Sequence, residues 1–465
     1  MRYVSTRGQA APRDFESVLL AGLAEDGGLF VPESWPTLTP ADWRALRGLP
    51  YPVLAARILS LFGAGGMPIE AMCRDAYAGF GHPAVVPLVQ LDHRTFALEL
   101  FHGPTLAFKD MALQLLGRLF DHVLDKRGER VTIVGATSGD TGSAAIEACR
   151  DRSAVDIVIL HPENRTSDVQ RRQMTTVLAP NVRNIAVQGD FDACQDLVKA
   201  MFNDAPFRAE MRLSAVNSIN WARIAAQIPY YVAAALALGA PDREVAVSVP
   251  TGNFGNVLAA WAARRMGLPI AHFVIGSNRN DILARFLASN DMTAKPVEPS
   301  LSPSMDIQVS SNFERLLFEL LGRDAAATAD LMTRFRSEGR MPVPDAAWQQ
   351  ATALFRGFTL DDEGTLAEIR HLWTRAGYLA DPHTAIGTAA ARALPPADPA
   401  IPVIVAATAH PAKFPDAVEQ ATGIRPPLPT RLADLYEREE RFGVLPNDLA
   451  AIEAAVRAHA RRNAA

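Results

Sequence analysis

The sequence predicts an α/β protein, with two doubly wound parallel units and a helical region at the N-terminus. Three observations predict it. Apolar residues before Pro83 recur at helical spacing. From Arg130 onward, short β-branched runs alternate with helical stretches. A second series of such runs opens at Glu244 and returns late in the chain at Pro402.

Taken in order, residues 1–83 form the N-terminal helical region, with helices expected over Pro12 to Leu23 and Leu54 to Leu61 and a turn at Gly27-Gly28. The first strand and helix series pairs Val131 to Val134 with Ser143 to Cys149, Asp156 to Leu160 with Ser167 to Val177, and Val182 to Val187 with Phe191 to Phe202. It defines a small α/β unit over 126–235. Strands over Glu244 to Val249, Ile270 to Ile275 and Pro402 to Ala406 define a larger unit, built from 84–125 and 236–465. Proline-rich stretches at Lys295 to Ser304 and Leu394 to Pro402 read as surface connections.

Composition narrows the function. With 465 residues and 49% hydrophobic content the chain can bury a large core. Its length suggests about three domains. A formal net charge of −5 gives no basic field for nucleic acid or an anionic membrane. The longest apolar run, Tyr230 to Leu238, is too short to span a bilayer, and the first residues lack the apolar core of a signal peptide. The cytoplasm is the expected compartment. Cys73, Cys149 and Cys194 are widely spaced and odd in number, which reads as reduced core cysteines rather than a metal or disulfide framework.

In doubly wound sheets, ligands sit beyond the carboxyl ends of the strands. The loops expected there are rich in chemistry. Phe101 to Asp110 sets Lys109 among apolar residues just before a helical pattern. Burial and the positive end of a helix both favour the neutral amine, the form that attacks aldehydes to make Schiff bases. Gly135 to Ser143 is small and hydroxyl-rich, suited to carboxylate oxygens at a helix N-terminus. Pro250 to Asn256 places glycines between a strand and a helix, the composition of a backbone nest for phosphate. It fits neither the dinucleotide glycine pattern nor the P-loop. Asn217 to Arg223 offers amides, a hydroxyl and a guanidinium for a second oxyanion. Thr408 follows the late strand and can point a hydroxyl into the same crevice.

Together these segments, with Asp26 to Pro32 and Ser302 to Asp306, resemble the fold type II pyridoxal-phosphate enzymes and, in detail, the threonine synthase family, from about Tyr3 to about Gly423. The resemblance implies pyridoxal 5'-phosphate held on Lys109, with Gly252, Asn253, Phe254, Gly255 and Asn256 around its phosphate and Thr408 at its pyridine nitrogen. It implies that Thr137, Ser138, Asp140 and Thr141 meet the substrate carboxylate, and that Asn217, Ser218, Asn220 and Arg223 meet the substrate phosphate. Asp140 stands where most of the wider group carries asparagine, and in this it is similar to the branch with an extended N-terminal region. That region is expected to cover the cleft. The implied reaction takes O-phospho-L-homoserine and water to L-threonine and phosphate, by γ-elimination and β-addition of water. The rival readings are a phospholyase giving 2-oxobutyrate and ammonia, and a catalytically silent interaction protein. No metal is implied, and monomer and homodimer both stay open.

Overall fold

A computed structural model describes residues 1–164, 166–214 and 218–460. Two sheets organise those residues. The larger runs in the order Phe355–Thr359, Ile270–Ser277, Val245–Pro250, Val403–Ala407, Thr95–Glu99, Leu88–Gln90. Every neighbouring pair in it is parallel except the last. The smaller runs Gly443–Pro446, Val182–Gln188, Val155–Pro162, Val131–Ala136, Leu213–Ser214, and is parallel throughout. The central strands Val245–Pro250 and Val155–Pro162 are buried at every residue. Strands covered on both faces by helices lose alternation and read as apolar runs, which is why these were visible in the sequence.

The expected strands are all present, with ends extended by one to a few residues. Others were not anticipated. Thr95–Glu99 and Phe355–Thr359 join the larger sheet, and Tyr3–Ser5 pairs antiparallel with Phe30–Pro32 inside the N-terminal region. The assignment of everything after residue 236 to the larger unit is corrected at the C-terminus. Gly443–Pro446 adds to the smaller sheet, and Ile452 and Val456 of helix Leu449–His459 enter the same core cluster as Val158, Ile185 and Leu197.

Rings of the N-terminal region close on Trp221, with Tyr3, Trp35 and Phe62 centred 5.9, 5.8 and 5.8 Å from it. Cys73, Cys149 and Cys194 are buried free thiols. No helix among the described residues is long and apolar enough to cross a membrane.

Helix Lys109–Arg127 connects the two units. Its Gly117 lies against helix Asp140–Cys149 so closely that an added Cβ would stand 2.2 Å from the Ala148 carbonyl oxygen. That contact sets the spacing between Lys109 and the loop ending in Asp140. Helix propensity alone would make Gly117→Ala stabilising by about 0.5–1 kcal/mol. Overpacking against backbone reverses the sign, and we expect a loss of about 1–3 kcal/mol. A denaturant midpoint lowered at unchanged slope is the expected result; a raised midpoint would show that the helices separate freely.

Candidate active site

Three neighbouring parallel strands, Val245–Pro250, Val403–Ala407 and Thr95–Glu99, point their carboxyl ends the same way. Their exit loops therefore meet. They carry Thr251 to Asn256, Thr408, and the segment from Leu100 to Lys109. Phe108 N–H donates to the Thr408 carbonyl (2.8 Å) and His410 N–H to the Leu106 carbonyl (3.0 Å), so two of the loops are laced together.

Lys109 opens its helix and is 9% exposed. Its Nζ faces Asp140 Oδ2 at 3.6 Å. Burial pushes this amine below the usual lysine range, Arg223 and Lys413 push the same way, and Asp140 opposes them. Burial would raise the Asp140 carboxyl, but Lys413 and Lys109, with a bond from Gln170, hold it well below the ordinary carboxylate range. Asp140 Oδ1 meets Lys413 Nζ at 3.0 Å and accepts from Gln170 Nε2 at 2.9 Å. Asp110, next to Lys109, accepts instead from Thr105 N and Oγ1 (both 2.8 Å), and burial pushes it up to about 6.

The glycine loop opens helix Gly255–Arg265. Phe254 holds a left-handed φ of 63° with its ring buried against Phe313 and Phe355. A Cβ at Gly252 would press on Met305 Cα and the Ser304 carbonyl (both 3.2 Å), and one at Gly255 on Ile224 (3.2 Å). The loop is thus fixed by its neighbours. Asn256 Oδ1 accepts from Tyr230 and Tyr231 hydroxyls (2.5 and 2.6 Å), while its Nδ2 is buried without a partner among the described residues. A buried donor left unbonded costs about 1–3 kcal/mol, which an oxyanion at this helix N-terminus would recover. The Asn253 residue is half-exposed, and Thr408 is a buried residue whose hydroxyl makes no hydrogen bond among the described residues. A helix N-terminus with an unbonded amide donor, a nearby buried amine and an idle hydroxyl fit a phosphorylated pyridine aldehyde.

The second oxyanion segment is more divided than expected. Arg223 is 4% exposed, is pushed down to about 10 by burial, and its charge reaches Lys109. Ser218 is half-exposed, and its carbonyl accepts from Asn312 Nδ2 at 3.0 Å. Asn220 faces the core instead. It is fully buried, its Oδ1 caps Ala222 N (3.0 Å) and its Nδ2 donates to the Leu19 carbonyl (2.8 Å). Asn217 lies outside the described residues. In the hydroxyl-rich loop, Thr137 Oγ1 accepts from Gly139 and Gly142 N–H groups (3.0 and 2.9 Å), so it shapes the turn. Ser138 and Thr141 are half-exposed with their hydroxyls unbonded among the described residues.

The structure adds residues that sequence reasoning had left without a role. Ser304 Oγ reaches Asp140 Oδ2 at 3.4 Å. Its N–H donates to His383 Nε2 (3.3 Å), whose Nδ1 bonds Asp381 (2.7 Å). Asp306 holds the Ser304 turn by accepting from Asn278, Asn280 and Ser300. The segment Ser302 to Asp306 stood out in the sequence, but nothing there showed that it packs on Gly252.

The fit extends to known proteins. The chain matches the threonine synthase N terminus over residues 2–77, the pyridoxal-phosphate dependent enzyme family over 85–407 and the threonine synthase C-terminal family over 384–456. Threonine synthase of Pseudomonas aeruginosa is 56% identical across 99% of both chains, and that of Corynebacterium glutamicum 41% across 97% of both. The crystal structure of pyridoxal-phosphate-bound threonine synthase from Brucella melitensis superposes with a TM-score of 0.97 at 52% identity, covering 99% of this chain and 100% of that one. The yeast threonine synthase structure gives 0.93 at 37% identity over 98% of each. With likeness of this degree along its whole length, the chain belongs to the threonine synthase family and is a pyridoxal-phosphate-dependent enzyme of fold type II.

Proposed function

We propose that the chain converts O-phospho-L-homoserine and water into L-threonine and phosphate, with the cofactor carried on Lys109. One observation carries this reading: oxyanion-suited groups stand both in the glycine loop and at Arg223, and the buried amine of Lys109 lies within reach of the Arg223 charge. The loop Gly252 to Asn256, with the unbonded Asn256 Nδ2, suits the cofactor phosphate. Arg223, buried and close enough for its charge to depress the Lys109 amine, suits the substrate phosphate.

When bound, pyridoxal phosphate supplies an electron sink that acidifies the Cα and then the Cβ protons of an amino acid. Lys109, with its basicity lowered by burial, takes the Cα proton and later returns it. Ser138 and Thr141, at the N-terminal end of helix Asp140–Cys149, hold the substrate carboxylate. Thr408 offers the pyridine nitrogen a hydroxyl, which carries no formal charge. Arg223 and Ser218, with Asn217 by family resemblance, meet the charge that grows on phosphate as its bond to Cγ breaks. Asn220 serves them indirectly, by capping the helix Trp221–Ala225 that bears Arg223. Phosphate kept beside Cβ leaves a base for the attacking water, and proximity favours that attack.

Three results are expected. Borohydride should fix the cofactor to Lys109, and Lys109→Ala should remove turnover; a label on another lysine ends the assignment. Arg223→Ala leaves a substrate charge unpaired, a loss of about 2–5 kcal/mol in use of O-phosphohomoserine, with cofactor retention little changed. Equal loss of both would point to a folding role. In oxygen-18 water, threonine should carry the label in its hydroxyl and released phosphate should carry none. Product dominated by 2-oxobutyrate and ammonia would overturn the synthase reading.

A further inference from the structure

Lys413 is fully buried, and its Nζ donates to the Thr105 carbonyl (2.6 Å) and Gln173 Oε1 (2.8 Å) while meeting Asp140 Oδ1 at 3.0 Å. These partners come from three places: the loop ahead of Lys109, helix Asp168–Thr175, and the start of helix Asp140–Cys149. Burying an ammonium group is costly, and an apolar side chain of similar volume would avoid that cost. The charge therefore asks for a use.

The two oxygens of Asp140 are not used alike. Oδ1 is anchored by Lys413 and Gln170, while Oδ2 faces Lys109 at 3.6 Å, too long for a direct hydrogen bond, and Ser304 at 3.4 Å. We propose that Lys413 is a positioning residue that draws the Asp140 carboxylate away from the Lys109 amine, so that Lys109 faces an anion without being locked into an ion pair with it. The inference rests on Lys109 being the cofactor lysine. Besides Asp140, Arg223 and Lys413 bear on Lys109; besides the two lysines, His383 bears on Asp140. Asp110 is turned onto Thr105.

The sign follows from two effects that agree. Lys413 repels a second cation at Lys109, and it occupies the anion that would otherwise hold a proton there. Removing it frees Asp140 to close on Lys109, whose nitrogen then keeps its proton to higher pH.

The test is a pH titration of the cofactor's visible absorbance in holoenzyme, for wild type, Lys413→Met, Lys413→Arg and Lys413→Met with Asp140→Asn. We expect the Lys413→Met midpoint to rise by about one unit or more, a tenfold change in proton affinity. Lys413→Arg should stay near wild type, and the double variant should return to or below it, as coupled neighbours do. A Lys413→Met midpoint unchanged or lowered, with borohydride still labelling Lys109, overturns the proposal and leaves the assignment of Lys109 standing. A label elsewhere removes that assignment instead. Should Lys413→Met fail to fold, Asp140→Asn alone decides: its midpoint must fall below wild type, and an equal or higher one overturns the proposal.

Discussion

A buried carboxylate, Asp140, is the constraint on which the rest depends. It is 4% exposed, and taking such a charge out of water costs several kcal/mol unless it is paired and hydrogen-bonded. Its partners come from distant parts of the chain. Lys109 leaves the larger sheet, Lys413 follows its late strand, Gln170 belongs to the smaller unit, and Ser304 sits on the turn that packs on the glycine loop. Asp140 is therefore compensated only when both units and the intervening turn are in place. Breaking such a set by removing one partner typically costs about 3–5 kcal/mol, so the cluster proposed to serve the chemistry also binds the units together.

On the proposed role of Lys109, the same cluster accounts for an amine that is both reactive and held. Burial and two nearby cations lower its basicity, while one anion keeps it oriented. A lone buried lysine would have low basicity and no fixed direction; a lysine in a tight ion pair would have direction and poor nucleophilicity. The spacing of 3.6 Å to Asp140 against 3.0 Å for Lys413 lies between those cases.

Much of this was legible in the sequence. The core strands Val131–Ala136, Val155–Pro162 and Val245–Pro250 announced themselves through short, β-branched and mostly apolar runs, and the loops behind them through glycines and hydroxyls. Lys109 stood out because it opened a helix after an apolar loop. Lys413 did not, since a single lysine in a short loop between Pro411 and Pro415 has the sequence signature of any surface lysine and its burial arises from residues about 240 and 308 positions away. Asn220 was ambiguous for the opposite reason: amides at a helix start suit an oxyanion and a cap equally, and its bonds to Ala222 and to Leu19, remote in sequence, were not visible there. Gly443–Pro446 escaped notice because four residues on a sheet edge carry too little pattern to distinguish from a loop.

The N-terminal region takes its meaning from that same remoteness. It was expected to cover the cleft, and its contacts include the residues that frame the proposed phosphate clamp. Leu19 holds Asn220; Phe30 accepts from Arg315, which also donates to the Ile219 carbonyl; Thr6 and Arg7 bond Glu314. Arg315 pairs in turn with Asn312, whose N–H donates to the Asn253 carbonyl of the glycine loop and whose Nδ2 holds Ser218. One path thus runs from Thr6 and Arg7, just after the first strand, to Glu314, along the backbone to Arg315, and through Asn312 to both proposed oxyanion segments. Positioning of this kind asks for rigidity more than for contact with a ligand, because a guanidinium displaced by about 1 Å can forfeit most of the advantage of orientation. The rings of Tyr3, Trp35 and Phe62 packed on Trp221, two residues before Arg223, supply that rigidity from the apolar side.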